Sequence, residues 1–413
     1  MDVQSSRGRE KAFVRGTHRV RHPRETIDLL RPRFGSTGIT RVANVTGLDT
    51  IGIPVAVAVR PNSRSLSVSQ GKGVDLDSAI ASAVLESVEQ FHAERPDIPL
   101  VWATQEELER RVRVVDCLRL PAFARPFSAH RPILWATGLD IASGVATKVP
   151  FDMVHLDLRY PPQHCSGCFP LGSNGLASGN DLLEATAHGL WELVERDAVA
   201  VFFGMPEELQ RDRRLDLGTV DDPVAVSLLE SIVRANMQVA VWEATSDVGL
   251  PTFCAIIVES EGEVFRRVGP ARGYGCHNDR GIALCRALTE AAQSRLTRIM
   301  GARDDVDSAA FDAVRSEGRI TEAQQMVSAA AGAPRSYCQV PTWAFPTFEE
   351  DLAWILQRLS AAGMDDVLRV VLSPADWPVC VVRVIVPGLE GAPEVPGYRP
   401  GSRARALAGG RSP

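Results

Sequence analysis

Closely spaced glutamates mark the part of this sequence best suited to chemistry. The stretch EATAHGLWELVERDA, residues 184–198, predicts an amphipathic helix and carries glutamates at positions 184, 192 and 195. Successive helical residues are rotated by about 100°, so Glu184, Glu192 and Glu195 fall on one side of the helix, together with His188. Like charges at this spacing repel each other. If they point into a cavity, they need cations to neutralise them.

The same polar pattern occurs in three predicted helices. All three segments fit A-x-[AC]-x-[AG]-[VL]-x-E-x-x-[EQ]: AIASAVLESVE (79–89), ATAHGLWELVE (185–195) and ALCRALTEAAQ (283–293). A glycine precedes each copy by a few residues: Gly73, Gly179 and Gly281. A single polar stripe of this kind usually faces solvent, whereas three copies of the pattern favour the interpretation that the stripes face a shared cavity. The side chains expected to face that cavity are Ser82, Glu86 and Glu89, then His188, Glu192 and Glu195, and finally Arg286, Glu290 and Gln293.

Carboxylates converging on one cavity predict bound Mg²⁺. Carboxylate oxygens are hard ligands, and Mg²⁺ held by a few of them usually also binds substrate phosphates. Guanidinium groups suit phosphate oxygens, and arginines lie next to the acidic positions: Arg196, Arg286, Arg295 and Arg303. The sequence has no GxxxxGK[ST] motif, since Lys72 in QGKG has the wrong spacing. These residues therefore predict a Mg-nucleotide site without a conventional phosphate loop.

The elements that must position these side chains alternate between strands and helices, which indicates the α/β (α+β) class. Apolar runs predict strands in ITRVANVT, IGIPVAVAVRP, ILWATGLDI, GVATKVPFDMV, MQVAVWEAT, TFCAIIVE, VLRVVLS and VCVVRVIVP. Helices are expected over 75–94, 104–117, 181–202, 222–236, 280–300 and 347–362, with Thr104 and Glu107 forming a capping box. We expect a basic arm (1–35), one catalytic domain (36–390) and a tail rich in Pro, Gly and Arg (391–413).

The overall composition argues against several other classes of protein. A net charge of −6 and a pI of about 5.8 argue against a nucleic-acid carrier. No apolar run reaches the roughly 18 residues of a membrane span, and the N-terminus lacks an apolar signal region, so a cytoplasmic location is expected. Eight cysteines in so long a chain do not predict a disulfide framework. Cys165 and Cys168, beside His164 in HCSGC, are a weak zinc or redox signal, and the other six are interpreted as small buried side chains.

Several of these motifs together resemble the YcaO family. The resemblance is carried by TGLDTIGIPV, by SQGKG before the first repeat, by SNGLASGN before EATAHGLWELVERDA, and by RALTEAAQSR with GARDD. It extends from about Gly16 to Glu390. It implies a YcaO-type fold, with mixed sheets and three related helices around a Mg-ATP site. It also implies ATP- and Mg²⁺-dependent phosphorylation of a backbone amide oxygen in a peptide.

The resemblance implies a role for individual positions of this chain. The family's SxxxExxE motif falls on Ser82, Glu86 and Glu89. Its second block falls on Asn180, Glu184, Glu192, Glu195 and Arg196, and its third on Arg286, Glu290, Gln293 and Arg295. In GTHRVRHPRET, the arm would offer Arg19 and Thr26 to the phosphates. The implied metal ligands are Glu86, Glu89, Glu184, Glu192 and Glu195. Because the reaction requires no protein nucleophile, Ser82 is assigned to positioning.

The subtype is indicated by shorter motifs. Azoline-forming members usually end in PxPxP, whereas this chain ends in PEVPGYRPGSRARALAGGRSP. GTHR, GITRVANVTGLD and VIVPGLE resemble stand-alone members that work with a TfuA-type partner, which implies thioamide formation with sulfide on a precursor peptide. An azoline-forming cyclodehydratase remains an alternative, as does a non-catalytic ATP-binding accessory of sulfur transfer. Neither nucleic acid nor membrane is an expected partner. Family members are often dimeric, which leaves a homodimer open.

Overall fold

The computed structural model describes residues 10–162, 164–260, 267–303, 308–329, 334–391, 393 and 398–408. The α-helices are α1 (Pro23–Leu30), α2 (Phe34–Thr37), α3 (Leu76–Glu94), α4 (Gln105–Glu109), α5 (Leu182–Gly204), α6 (Glu207–Arg211), α7 (Pro223–Arg234), α8 (Arg280–Met300), α9 (Ser308–Arg315), α10 (Glu317–Ser328), α11 (Phe348–Ala361) and α12 (Ser402–Ala408). None of these helices has the length and apolar composition needed to cross a membrane.

The strands are β1 (Arg41–Asn44), β2 (Val55–Val59), β3 (Val68–Lys72), β4 (Val101–Ala103), β5 (Arg113–Val114), β6 (Ile133–Asp140), β7 (Ala146–Pro150), β8 (Leu176–Gly179), β9 (Leu215–Asp216), β10 (Met237–Glu243), β11 (Thr252–Glu259), β12 (Ala271–Cys276), β13 (Arg335–Ser336), β14 (Leu368–Val371) and β15 (Cys380–Ile385). Short 3-10 helices occur at Arg31–Arg33, Thr46–Leu48, Cys117–Arg119, Phe151–Met153, Leu217–Thr219 and Tyr337–Gln339.

These strands form one large mixed sheet and three smaller sheets among the helices, which confirms the predicted α/β class. The largest sheet has the order β5-β7-β6-β14-β15-β8, and β4 also pairs with β6. Two antiparallel sheets, β1-β2-β3 and β10-β11-β12, each carry three strands, while β9 and β13 form a short parallel pair. In the large sheet, Cys380 of β15 lies opposite Gly179 of β8. β8 ends at Gly179, and α5 begins soon after it at Leu182.

Each of the three repeated helices follows the end of a strand from a different sheet. β3 leads into α3, β8 into α5 and β12 into α8. At the start of each helix an aspartate accepts hydrogen bonds from otherwise unpaired backbone N–H groups, as N-cap residues do: Asp75, Asp181 and Asp279. Each of these aspartates lies four residues before the first alanine of its repeat, a shared position that the sequence patterns did not identify.

The small residues of the repeats allow the helices to lie directly on the strands. A Cβ placed on Gly71 would lie 2.1 Å from the carbonyl oxygen of Ala79, and one on Gly179 would lie 2.4 Å from the Ala185 nitrogen. In the third unit Gly281, the glycine that precedes the repeat in the sequence, lies within the first turn of α8 and not in the strand before it. Gly275 of β12 makes the close contact instead, since its Cβ would lie 2.1 Å from the Ala283 oxygen.

Replacing Gly71 by alanine is expected to lower the free energy of unfolding by about 3 kcal/mol, because an added methyl group would force α3 away from β3. Chemical denaturation of the variant measures the loss. Gly318→Ala is the control, because no atom lies within 4 Å of its added Cβ. That variant should be as stable as the wild type or slightly more stable. Equal denaturation midpoints for Gly71→Ala and the wild type would contradict the close packing.

The predicted elements agree with the structure except in a few segments. Residues 104–117 do not form one helix: the capping box is present, but α4 ends at Glu109 and residues 113–114 pair with β7 as β5. Residues 1–9 of the predicted arm lie outside the described residues, and in the rest of the arm α1 buries Thr26, Ile27 and Leu30. The described part of the tail docks through α12, where Arg403 pairs with the buried Asp197 of α5.

Candidate functional site

A cavity of about 530 Å³ is lined by residues of α3, α5 and α8 together with residues of the N-terminal arm. It contains most of the side chains that the sequence singled out. Those that line it are Arg19, Thr26, Ser82, Glu86, Glu89, His188, Glu192, Glu195, Arg196, Arg286, Glu290, Gln293 and Arg303. The three repeated helices therefore turn their polar stripes toward one space.

Glu86 and Glu89 of α3 ionise with difficulty in the absence of a ligand. One oxygen of Glu86 accepts a hydrogen bond from the Gln70 N–H at 3.0 Å, and Glu89 accepts one from the Ser178 hydroxyl at 2.6 Å. Removal from water raises the pKa of Glu86 to about 7 and that of Glu89 to about 8, although these hydrogen bonds oppose the shift. The charge of Glu192 raises both values further.

Glu192 and Glu195 of α5 lie in a similar environment. The Glu195 carboxylate accepts a hydrogen bond from the Cys276 N–H at 3.0 Å and lies 3.7 Å from a guanidinium nitrogen of Arg286. Burial raises the pKa of Glu192 and of Glu195, and the neighbouring charge of Glu290 contributes to the second shift. Positive charge on Arg196 and Arg286 opposes the rise in both cases. A cation would relieve the remaining cost.

On α8, Glu290 has a different electrostatic state. Burial disfavours its charged form, but Lys72, Arg196 and Arg286 outweigh that effect and lower the pKa of Glu290. The Lys72 ammonium forms an ion pair with its carboxylate, and the Tyr274 N–H donates to it at 3.3 Å. Lys72 was set aside because it does not fit a phosphate-loop motif, yet it lines the cavity. Its position in QGKG, just before the first repeat, is the signal that could have identified it.

Polar contacts across the cavity connect the repeated units. The Gln293 side chain donates to the backbone oxygen of Gln70 at 2.7 Å, and the Thr297 hydroxyl bonds to the Gln70 side chain. On the other side, a guanidinium nitrogen of Arg286 lies 3.5 Å from Nδ1 of His188. Gln70, Gln90, Ser178 and Thr297 are among the further lining residues that the sequence patterns did not identify. They belong to no acidic or basic motif.

Glu184 and Asn180 are not among the residues that line the cavity, and their assignment as direct ligands stays a prediction. Glu184 is 1 % exposed and accepts hydrogen bonds from the Arg19 guanidinium at 3.0 Å and from the Val20 N–H at 2.8 Å. The Asn180 amide also donates to Glu184, while its oxygen accepts from the Thr26 hydroxyl at 2.7 Å. With these donors in place, Glu184 joins the N-terminal arm to α5.

Arg295 also lies outside the cavity lining, contrary to its expected place near the nucleotide. Its side chain is 2 % exposed and pairs with Asp49 at 2.9 Å and with Glu259 at 2.5 Å. Both carboxylates are buried as well. Arg295 therefore neutralises two buried acids in the core beside α8.

The weak CxxC signal is not part of this cavity. Cys168 is buried with its sulfur 3.2 Å from a guanidinium nitrogen of Arg131, and burial raises the pKa of the Cys165 thiol. All eight cysteines are free. The interpretation as small buried side chains is wrong for Cys338, which is exposed, and holds in full for Cys117, Cys254, Cys276 and Cys285.

The donor set fits Mg²⁺ that is shared with phosphate oxygens. Within the described ranges, no three acidic, histidine or cysteine side chains surround a single point, as a metal site made by protein alone would require. Mg²⁺ typically takes one or two carboxylates together with substrate phosphates. The cavity wall offers carboxylates that are costly to leave ionised, with lysine and arginine groups among them. Both halves of a magnesium–polyphosphate complex therefore find complementary groups.

Known proteins resemble this chain in sequence or in fold. A protein of Rhizobium leguminosarum bv. trifolii, described as lying in the tfuA 3′ region, is 40 % identical over 392 residues, or 92 % of this chain and 91 % of that protein. YcaO from Methanopyrus kandleri, solved with AMPPCP and Mg²⁺, superposes with a TM-score of 0.73 at 22 % identity over 95 % of this chain and 100 % of its own length. A heterocyclase solved with substrate and cofactor gives a TM-score of 0.76 at 22 % identity over 94 % of this chain. The chain spans 54 % of that heterocyclase.

The family comparison agrees with the cavity. The family model for YcaO cyclodehydratases, which are described as ATP- and Mg²⁺-binding, matches residues 70–390, well over half of the chain. The matched region contains the three repeated helices and the acidic side chains that they place around the cavity. This chain belongs to the YcaO family of ATP- and Mg²⁺-binding proteins.

Proposed function

We propose that this protein activates a backbone amide of a ribosomally made precursor peptide with ATP and Mg²⁺, and that sulfide then replaces the amide oxygen to give a thioamide. The observation that carries the proposal is the cavity itself, in which three related helices bring glutamates and arginines together. The relative encoded in a tfuA region supports the choice of thioamide and of a TfuA-like partner. We assign the activity to residues 36–390, completed by the arm from residue 10.

Glutamates and cationic side chains would divide the work of binding. Glu86, Glu89, Glu192 and Glu195 would hold Mg²⁺, since their oxygens line the cavity and their pKa values are raised by burial. The cationic groups on the same walls would hold phosphate oxygens: Arg19, Lys72, Arg196, Arg286 and Arg303. Bound Mg-ATP supplies the phosphoryl group that makes the amide oxygen a good leaving group.

The protein's own contribution is positioning and charge stabilisation. Its fixed dipoles and charges line the cavity, where they favour the charge that develops during phosphoryl transfer. Ser82 lines the cavity one turn before Glu86, where a hydroxyl can orient a bound group. Since the incoming sulfide is the nucleophile, no side chain of the cavity has to form a covalent intermediate.

Mass spectrometry of a precursor peptide tests the reaction. The peptide should be co-expressed with this protein, a TfuA-like protein and a sulfide source, and the Glu192→Gln variant provides the inactive control. Thioamide formation adds the mass difference between sulfur and oxygen. Loss of one water would instead indicate an azoline. A peptide that remains unmodified while the protein binds Mg-ATP would favour the accessory role and contradict the proposal.

Replacing Glu89 by glutamine is expected to change how stability depends on pH. The pKa of Glu89 is raised from its ordinary 4.5 to about 8, mainly by burial. As pH rises through this window, the unfolded chain releases a proton that the folded chain keeps, so the wild type loses stability. Glu89→Gln has no proton to release, so its melting temperature should exceed that of the wild type by a margin that widens between about pH 5 and about pH 8.

Differential scanning fluorimetry of the ligand-free proteins across this range measures the margin. The same replacement at Glu230, which is exposed on α7, is the control and should leave the pH dependence of the wild type unchanged. Addition of Mg-ATP should stabilise the wild type more at the upper end of the range, where Glu89 is ionised. A constant margin between Glu89→Gln and wild type would contradict the raised pKa.

A further inference from the structure

We infer that residues 10–20 form a strap whose tip contacts the bound nucleotide, and that a buried ion pair between Lys11 and Asp351 holds this strap in its binding position. The inference rests on the proposed nucleotide site and extends it. In this inference Arg15 and Thr17 contact the nucleotide. Lys11 and Asp351 do not line the cavity and act as positioning residues, because they hold the strap in place.

The strap folds back on itself so that its tip reaches the cavity. The Phe13 N–H donates to the Arg19 carbonyl at 3.0 Å, and the Arg19 N–H donates to the Phe13 carbonyl at 2.9 Å. Between these two residues lie Arg15, Gly16 and Thr17, all of which line the cavity. The pair of hydrogen bonds therefore closes a loop that presents a guanidinium, a hydroxyl and backbone groups to the site.

Gly16 allows the tip to lie close to the start of α3. Its φ is 68°, in the left-handed region that favours glycine. An added Cβ would lie 2.4 Å from a methyl carbon of Val74, a residue that also lines the cavity between β3 and α3. The tip is thus fitted against the same unit that carries Glu86 and Glu89.

One end of the strap is fixed to α5. Glu184 accepts hydrogen bonds from Arg19 and from the Val20 N–H, as described above. Beside them, the His18 ring packs against the His277 ring with 4.7 Å between centroids. This end therefore moves together with the helix that carries Glu192 and Glu195.

The other end is fixed by Lys11. Its ammonium lies 2.7 Å from the Asp351 carboxylate and donates to the Phe345 carbonyl at 2.7 Å. The side chains of the pair are 3 % and 0 % exposed. The Lys11 N–H also donates to the Pro346 carbonyl at 3.3 Å. A charged side chain is rarely buried so completely, and here it is paired and hydrogen-bonded.

The anchor continues into the site through a buried chain of hydrogen bonds. Asp351, near the start of α11, accepts from the Asn278 amide at 3.0 Å. The Asn278 oxygen accepts from the Trp191 indole at 2.9 Å, and Trp191 belongs to α5 next to Glu192. The Lys11–Asp351 pair thus fixes the position of the strap relative to α5, the helix that carries Glu192 and Glu195.

Positioning explains why an ion pair occupies this place. A buried ion pair is often no more stabilising than an apolar pair of similar volume. Because each buried charge needs its partner in one defined geometry, the pair instead fixes the position of the segment that carries Lys11. Without the pair, the strap would spend part of its time away from the cavity. Apparent affinity falls in proportion to the fraction of molecules in the binding-competent conformation.

The test is the neutral double variant Lys11→Met/Asp351→Asn, in which the amide oxygen that replaces a carboxylate oxygen can still accept from Asn278. If a tenth of the molecules keep the strap in place, the KM for ATP rises about tenfold while kcat changes by less than about twofold. Hydrogen exchange at the Phe13 and Arg19 amides should be fast without ligand and protected again when Mg²⁺ and a non-hydrolysable ATP analogue are added. Arg15→Ala should weaken binding of the analogue while these amides stay protected.

Two controls separate positioning from general stability. Lys11→Arg keeps the charge and should retain a near wild-type KM. Asp140→Asn alters another buried ion-paired carboxylate, whose partner is Arg113 and which does not line the cavity, so it should leave KM unchanged. If the double variant loses thermal stability but binds the analogue as the wild type does, the pair is only structural and the inference is wrong. If the wild type itself does not bind Mg-ATP, the proposed function is wrong. If hydrogen exchange at the Phe13 and Arg19 amides of the double variant equals that of the wild type, only the positioning role is wrong.

Discussion

Glu192→Gln should lower ATP-dependent activity by at least about 100-fold, the usual cost of removing one preorganised charged group from a phosphoryl-transfer site. Glu192 lines the cavity, and burial raises the pKa of its carboxyl group. Glutamine keeps the shape but cannot neutralise Mg²⁺. Because the variant no longer places an ionised carboxylate in the ligand-free cavity, its melting temperature should equal or exceed that of the wild type.

Isothermal titration with Mg²⁺ and a non-hydrolysable ATP analogue measures the loss of binding directly, without the peptide or the partner protein. Glu230→Gln, on the exposed face of α7, is the control and should bind as the wild type does. Unfolding of Glu192→Gln would show that the carboxylate supports the fold. Unimpaired binding would remove Glu192 from the metal-binding set.

Whereas Glu192→Gln should lose activity and keep its stability, Arg295→Met should lose stability. We expect its free energy of unfolding to fall by about 3–5 kcal/mol, the usual effect of removing one partner from a buried ion pair. Arg295 pairs with both Asp49 and Glu259, and its removal leaves two buried carboxylates without their cation. Methionine has a comparable length and is apolar, so the change isolates the charge. Urea denaturation of the ligand-free protein measures the effect.

The double variant Arg295→Met/Glu259→Gln provides the matched control. Glu259 also accepts hydrogen bonds from the N–H groups of Val268 and Gly269, which the oxygen of a glutamine can still accept. Removing one of the two unpaired charges should recover part of the lost stability. If Arg295→Met were stable but bound ATP poorly, Arg295 would have to be returned to the nucleotide site.

These two predictions separate residues that sequence reasoning had placed in one group. Glu192 and Arg295 both lie on repeated helices and near acidic or basic neighbours. The cavity includes the first and excludes the second. Glu184 shows the same distinction within α5, because its donors from the arm and from Asn180 occupy its oxygens. Burial and local partners, which depend on other parts of the chain, decide each case.

The helices of the site could be predicted because their information is local. α3, α5 and α8 repeat small residues and glutamates at helical spacing, and the observed bounds, Leu76–Glu94, Leu182–Gly204 and Arg280–Met300, lie close to the expected ones. The strands before them were not predicted. β3, β8 and β12 contain SQGK, LASG and ARGYGC, whose glycines and alanines lack the branched side chains typical of strands. Close packing against a helix requires that composition.

The sequence alone determines three helices with matched polar stripes, an α/β fold and the motifs of the YcaO family. It can do so because spacing along a helix and residue type are properties of short segments. Only the tertiary structure decided which stripe residues share a cavity. It also placed Lys72 opposite Glu290 and the strap of residues 10–20 over α5 and α11. These contacts join residues hundreds of positions apart, and their geometry depends on how separate sheets pack, which no local pattern encodes.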